Sequence, residues 1–373
     1  MRLVAATAML LMASVPAHAQ GIEPLLDSLE KLPETVLSNP AAIQFNFVDV
    51  AALHALAGAE GLNATVLTRA MIGGMLQPYN ALQVRGPEAW NEKSFVEVGD
   101  LRYLAGFGDA PKTITIWGLE NEDAAASLIS DLDAAEFDAV SPEGVIGNGE
   151  PLAMDPTKMD PADPWRSRVG AATFVAAKGN AVIQATVPAP FGVLLEERPS
   201  MAGSAVVTAA LGGLEAALGD DLLVQAMLIT PVFGLGATDL DIELIIGLDL
   251  DVMREKLEAE LEAGTQGIPA YLGGFIADAQ GEQPAVLMSL TYADCATAER
   301  AAEQMAERWS DTMPNQAQGD METASVEAAG GLCAATLKVA GSSDAGLRNP
   351  IFQAMFDAYL RRDFTVVQIG KSS

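Results

Sequence analysis

Residues 112–137, KTITIWGLENEDAAASLISDLDAAEF, decide how this chain folds. In the first part Ile114 and Ile116 alternate with Thr113 and Thr115, the period of two that marks a strand. The rest reads as a helix, with Glu122 and Asp123 in the first turn, where the helix dipole favours acids. The same succession returns in residues 284–309, PAVLMSLTYADCATAERAAEQMAERW.

Working outward, the first copy is framed by further elements. IEPLLDSLEKL (residues 22–32) predicts a short leading helix, with Pro24 in its first turn and Pro33 after it. IQFNFVDV (43–50) alternates as a strand through Ile43, Phe45 and Phe47, and Asp49 is placed to cap the helix that follows. Residues 60–110 read as an insertion. It holds a helix at NATVLTRAMIGGML and then an irregular stretch carrying Tyr79, Trp90, Phe95, Tyr103 and Phe107. A strand at 144–154 precedes the loop DPTKMDPADPW. ATFVAAKGNAVIQATV (172–187) reads as a hairpin turning at Lys178, Gly179 and Asn180. A helix, SAVVTAALGGLEAALG, and a strand, DLLVQAMLI, close the half.

The second half echoes this order. LDIELIIGLDL (240–250) matches the opening strand, and DVMREKLEAELEAG (251–264) matches its Asp-capped helix. VEAAGGLCAATLKVAG (326–341) matches the hairpin, and FDAYLRRDFTVVQIG (356–370) matches the closing helix and strand. Five elements in one order indicate an internal duplication. The expected fold is α+β: two related halves, each a mostly antiparallel mixed sheet with helices packed mainly on one face. The expected boundaries are a leader over 1–19, a helical lead-in over 20–40, a first unit over 41–231 and a second over 232–373. The seam falls in the Pro- and Gly-punctuated residues 230–238.

The opening MRLVAATAMLLMASVPAHAQ has one basic residue, an apolar run and Ala17-His18-Ala19, the three parts of a cleavable export signal. That apolar run falls short of the ~20 residues a spanning helix needs. No second run of spanning length follows, so after cleavage no transmembrane segment is expected, and the location is periplasmic or secreted. With 50 Asp and Glu against 21 Lys and Arg, the net charge is -29. Such a surface repels phosphate backbones, which excludes nucleic acid as a partner. It is the kind of charge that keeps an exported protein dispersed.

Export puts the only two cysteines, Cys295 and Cys333, where disulfides persist, and a structural bridge is expected between them. The two histidines are His18, lost with the leader, and His54, on one helix face with Val50, Leu53 and Ala57. One imidazole on an apolar face is a boundary residue, and it cannot build a multi-histidine zinc site. No metal or cofactor is expected. The acids Asp155, Asp160 and Asp163 lie in a stiff proline-rich loop without the spacing of a calcium loop. Asp239, Asp241 and Glu243 would share one face of a strand as an edge guard, with Asp249 and Asp251 beyond.

The aromatic residues Tyr79, Trp90, Tyr103 and Trp117 remain as candidates to line a ligand pocket or partner groove, or else to form a local core. The reading is a non-catalytic binding or interaction protein whose partner is a small molecule or an envelope protein. The alternative is a carboxylate-dependent hydrolase of the envelope.

Overall fold

In a computed structural model of the chain, residues 21–38, 45–108, 112–140, 144–166, 169–234, 267–342 and 345–370 are described. The leader, Ile43, the expected opening strand and Asp-capped helix of the second half, and the acids from Asp239 to Asp251 lie outside the described residues.

The chain begins with α1 (Glu23–Glu30), β1 (Phe45–Asp49), α2 (Val50–Ala57), α3 (Ala64–Arg69) and α4 (Gln77–Ser94). Next come β2 (Leu101–Phe107), β3 (Ile114–Leu119), α5 (Glu122–Ala135), β4 (Asp138–Val140) and β5 (Val145–Gly147). The hairpin β6 (Phe174–Lys178) and β7 (Ala181–Ala185) leads to the short α6 (Phe191–Leu194), α7 (Ala205–Leu218), β8 (Leu222–Ile229) and the one-turn α8 (Pro231–Gly234). Beyond the undescribed segment lie β9 (Gly273–Gln280), β10 (Pro284–Tyr292), α9 (Cys295–Thr312), β11 (Asp320–Glu327), β12 (Cys333–Ala340) and α10 (Pro350–Leu360).

All twelve strands join one sheet in the order β11-β12-β10-β9-β8-β1-β2-β3-β7-β6-β5-β4, and every ladder between them is antiparallel. The class is α+β. Apart from the extra hairpin β4-β5 that follows α5, the blocks β2-β3-α5-β6-β7 and β9-β10-α9-β11-β12 run alike: a hairpin, a helix, and a second hairpin whose later strand returns beside the first hairpin. β1 and β8 lie side by side at the centre, Phe47 opposite Ala226.

Alternate residues divide each strand between two faces. On β8, Ala226 and Leu228 point into one apolar cluster while Met227 and Ile229 point into another. The first face is covered by α1 and α7, through Leu25, Leu29, Val207, Ala210 and Leu214. The second carries most of the helices: α2 to α5 over the first block, α9 and α10 over the second. α7 lies close on its strands because Gly213 has no side chain. A Cβ there would sit 2.4 Å from Ser289 Oγ and 2.5 Å from Ala334 Cβ.

The disulfide joins Cys295 to Cys333, 38 residues apart, with Cα atoms 5.0 Å apart. It ties the first residue of α9 to the first residue of β12.

Three local expectations are corrected. The ladders form a purely antiparallel sheet where a mixed one was expected, since the two parts meet through β1 and β8 without a crossover between parallel strands. The expected irregular stretch after residue 76 is the helix α4, kinked at Gly86 and Pro87, followed by β2. Residues 364–370 form a 3-10 turn (Thr365–Val367) where a closing strand was expected. Beyond the turn, Ile369 and Gly370 make isolated bridges to Ile268 and join no ladder of the sheet. Carbonyls of this segment are taken up by the Arg308 guanidinium, which donates to Thr365 O at 2.9 Å and Gly370 O at 2.9 Å.

Candidate functional site

Among the described residues a cleft of about 520 Å3 lies where the end of β8, the start of β9 and the start of α7 meet. Pro231 ends β8, having no amide hydrogen to extend the ladder. At the start of β9, Gly274 lies so close to β10 that a Cβ would meet Ser289 O at 2.2 Å. The first turn of α7 is pinned there by Thr291, whose hydroxyl donates to Val206 O at 2.9 Å. The outer wall comes from two distant segments zipped together. Glu34 N donates to Pro199 O at 2.8 Å, and Met201 N donates to Leu32 O at 2.9 Å.

The cleft is lined largely by apolar groups, among them Val206, Val207, Leu228, Ile229 and Leu272. Leu272 is an exposed leucine at 45%. The polar groups are few: Glu34, Thr35, Arg198, Ser204 and Thr230. The Arg198 guanidinium is engaged by Glu196. The buried Thr230 Oγ1 has no hydrogen-bond partner. The cleft's volume falls within the ~300–1,000 Å3 usual for small-molecule pockets.

No protein-family model, curated protein or solved structure matches this chain.

The four aromatic candidates lie elsewhere, and all are fully buried. Trp117 is the middle of a stack, with Trp165 at 4.3 Å and Trp90 at 5.6 Å between ring centroids. Its indole N–H donates to Gln184 Oε1 at 2.8 Å. Trp90 donates to Pro78 O and Tyr79 to Leu67 O, both at 3.0 Å. Tyr103 faces the other side of the sheet, where its hydroxyl donates to Asp27 Oδ2 at 2.8 Å. The first three therefore share one core and the fourth belongs to another. None of them lines the cleft.

The loop acids are turned onto their own backbone. Asp155 accepts from Thr157 N at 3.0 Å, Asp160 from Ala162 N at 2.9 Å and Asp163 from Trp165 N at 2.7 Å. These three side chains hold local turns. Among the described residues no group of three or more His, Cys, Asp or Glu is placed to hold a metal ion.

His54 is half-buried. Burial lowers its pKa, opposed by a hydrogen bond with the Val98 backbone, and its Nε2 has no partner. Asp49 caps α2, accepting from Ala52 N at 2.7 Å. Burial raises its pKa to about 7 against the lowering effect of that bond and of Arg102.

The most elaborate polar group carries no signal in the local sequence. Asp278 on β9 is fully buried and accepts from Arg69 of α3, from Gln225 of β8 at 3.0 Å and from Asn349 at 2.7 Å. Gln225 also holds the helical segments, accepting from Ile72 N at 3.0 Å and donating to Arg69 O at 2.8 Å. Asn349 caps α10, accepting from Phe352 N at 3.0 Å. This knot fills the seam between the two apolar clusters on the helix-rich face. Its hydrogen bonds tie α3, β8, β9 and the start of α10 to one another.

Proposed function

We propose that this chain is an exported, non-catalytic binding protein, descended from a tandem duplication, whose cleft takes a small ligand with an apolar body. The observation that carries the reading is the cleft itself, with hydrophobic walls and a short set of polar groups. Export is supported by the three-part leader and by the Cys295–Cys333 bridge, since such bonds persist in oxidising compartments. The duplication is supported by the shared hairpin-helix-hairpin connectivity of the two blocks. It is further supported by the parallel roles of α1 before β1 and α7 before β8, each on the same face. Among the described residues no helix is long and apolar enough to cross a membrane.

The hydrolase alternative calls for two carboxylates flanking the reacting bond. Among the described residues lining the cleft, Glu34 is the one carboxylate. Binding therefore suits these groups better than acid-base chemistry.

The test uses 1-anilinonaphthalene-8-sulfonate as a fluorescent reporter of the native protein, displaced by decanoate or decanol. Saturable binding is expected, weakened at least tenfold by Leu272→Asp, which puts a charge in the mouth without touching the core. Thr230→Val should weaken binding of a hydroxyl or carboxylate ligand more than that of the apolar reporter. Binding that ignores both substitutions would place the ligand elsewhere, and no saturable binding would end the reading.

A further inference from the structure

The sheet ends on one side in β4, three residues long, and on the other in β11, eight residues long. β11 pairs with β12 along its whole length without a register shift. Its outer edge thus offers a row of backbone donors and acceptors over ~27 Å, at the usual rise per residue. Long open edges are ordinarily blunted by charged side chains, lysine above all, or by proline, a bulge or brevity. β11, DMETASVE, is long and unbulged and has neither lysine nor proline, so charge is its one guard, and that guard turns away acidic strands and not basic ones.

What it has is acid. Asp320, Glu322 and Glu327 are exposed, and among the described residues neither glutamate forms an ion pair. Lys338 lies opposite Glu322 in the register but is held by Asp221 at 2.7 Å. The remaining side chains are mostly small: Thr323, Ala324, Ser325 and Val326. They leave the edge open to an incoming strand from either face. A second copy is a poor occupant. Antiparallel addition of β11 to its own copy would bring together two chains of net charge -29 each, with acids on both edges.

We propose that β11 is a strand-addition site for an extended, basic segment of another protein. Main-chain hydrogen bonds would hold the segment in register. Lysine or arginine side chains opposite Glu322 and Glu327 would select it, since opposite charges across a strand pair attract. This site is separate from the cleft and stands whether or not the cleft binds a ligand.

The test uses the native protein and three eight-residue peptides: Lys-Val-Thr-Val-Thr-Lys-Thr-Lys, whose lysines fall opposite Glu327, Glu322 and Asp320 when it is laid antiparallel along 320–327, its counterpart with Glu for every Lys, and the basic peptide N-methylated on alternate residues. Fluorescence anisotropy reports binding, and amide hydrogen exchange reports where it occurs. The basic peptide should bind and slow exchange in residues 320–327. The acidic peptide should not bind, and N-methylation should weaken binding at least tenfold. The double variant Glu322→Lys with Glu327→Lys, altered only at exposed positions, should reverse the preference between the first two peptides. Equal binding of the N-methylated peptide would overturn the proposal, because attraction to net charge needs no backbone bonds. So would binding without protection of 320–327, or no binding at all. A dimer that protects β11 without any peptide would assign the edge to a second copy instead.

Discussion

The Arg69 guanidinium grips the Asp278 carboxylate with two hydrogen bonds, Nε to Oδ2 at 3.2 Å and Nη2 to Oδ1 at 2.7 Å, across 209 residues of sequence. Both side chains are almost wholly removed from water. A buried charge pair of this kind is sustained by its geometry and its further partners, here Gln225, Asn349 and the carbonyl of Ala279.

Removing one partner leaves the other charged and unpaired. Asp278→Ala is expected to cost about 3–5 kcal/mol, and Arg69→Met a similar amount. The double variant Arg69→Met with Asp278→Leu should cost clearly less than the sum, since neither orphan charge remains. Urea denaturation of the four proteins checks this, and strict additivity would contradict the coupling.

Asp49 gives a stability that depends on pH in an unusual direction. Burial favours its neutral form, raising the pKa to about 7 from 3.8. Its contribution to folding is therefore fully present below pH 3.8 and is lost as pH rises through 7. Asp49→Asn keeps an oxygen to cap α2 and cannot ionise. The variant should gain on the parent by up to about 4 kcal/mol between pH 4 and pH 8, the linkage value of such a shift. A stability difference that stays flat over that range would show Asp49 to be charged throughout.

Much of the fold was legible in the sequence, and the exceptions share a cause. β3 with α5 and β10 with α9 announce themselves because each strand runs straight into a helix capped by Asn121 or Asp294, and the two later hairpins because they turn at Gly179 and at Gly330 and Gly331, all at positive φ. β9 carries no such mark. Its residues are buried on both faces, Asp278 included, so GGFIADAQ shows no alternation of polarity by which to place a strand. α4 is hidden by Gly86 and Pro87 in its middle. Tyr79, Trp90 and Trp117 stood out as a cluster, and the structure gathers them in one core, but which side of the sheet receives Tyr103 follows from register alone. The cleft draws on residues 33–35, 198–207, 228–231 and 272–274, and only the folded sheet brings these together.

Two neighbouring glycines on α7 should respond oppositely to alanine. A Cβ on Gly212 meets nothing within 4 Å, so Gly212→Ala should stabilise by about 0.5–1 kcal/mol through helix propensity. Gly213→Ala must push α7 off Ser289 and Ala334 and should destabilise by about 1–3 kcal/mol. Melting temperatures of the two variants decide it, and a gain at position 213 would mean that α7 lies farther from the sheet.

Denatured without reductant, the protein should show no thiol reactive to labelling, because both cysteines are committed. Replacing the pair, Cys295→Ala with Cys333→Ala, is expected to cost roughly 4 kcal/mol on a chain-entropy view of the closed loop. Loss of much less would mean that the unfolded chain is already compact between α9 and β12.

The placement of β8 between β1 and β9 has a consequence for how the molecule is made. β1 is among the earliest strands off the ribosome, yet one of its two flanks stays vacant until residues 222–229 arrive. A leading fragment therefore ripens late, and the long loop that closes on it slows the search. If the chain crosses a membrane as the leader implies, this delay is useful: threading requires a substrate that has not yet folded, and here the centre of the sheet cannot lock until most of the polypeptide has passed.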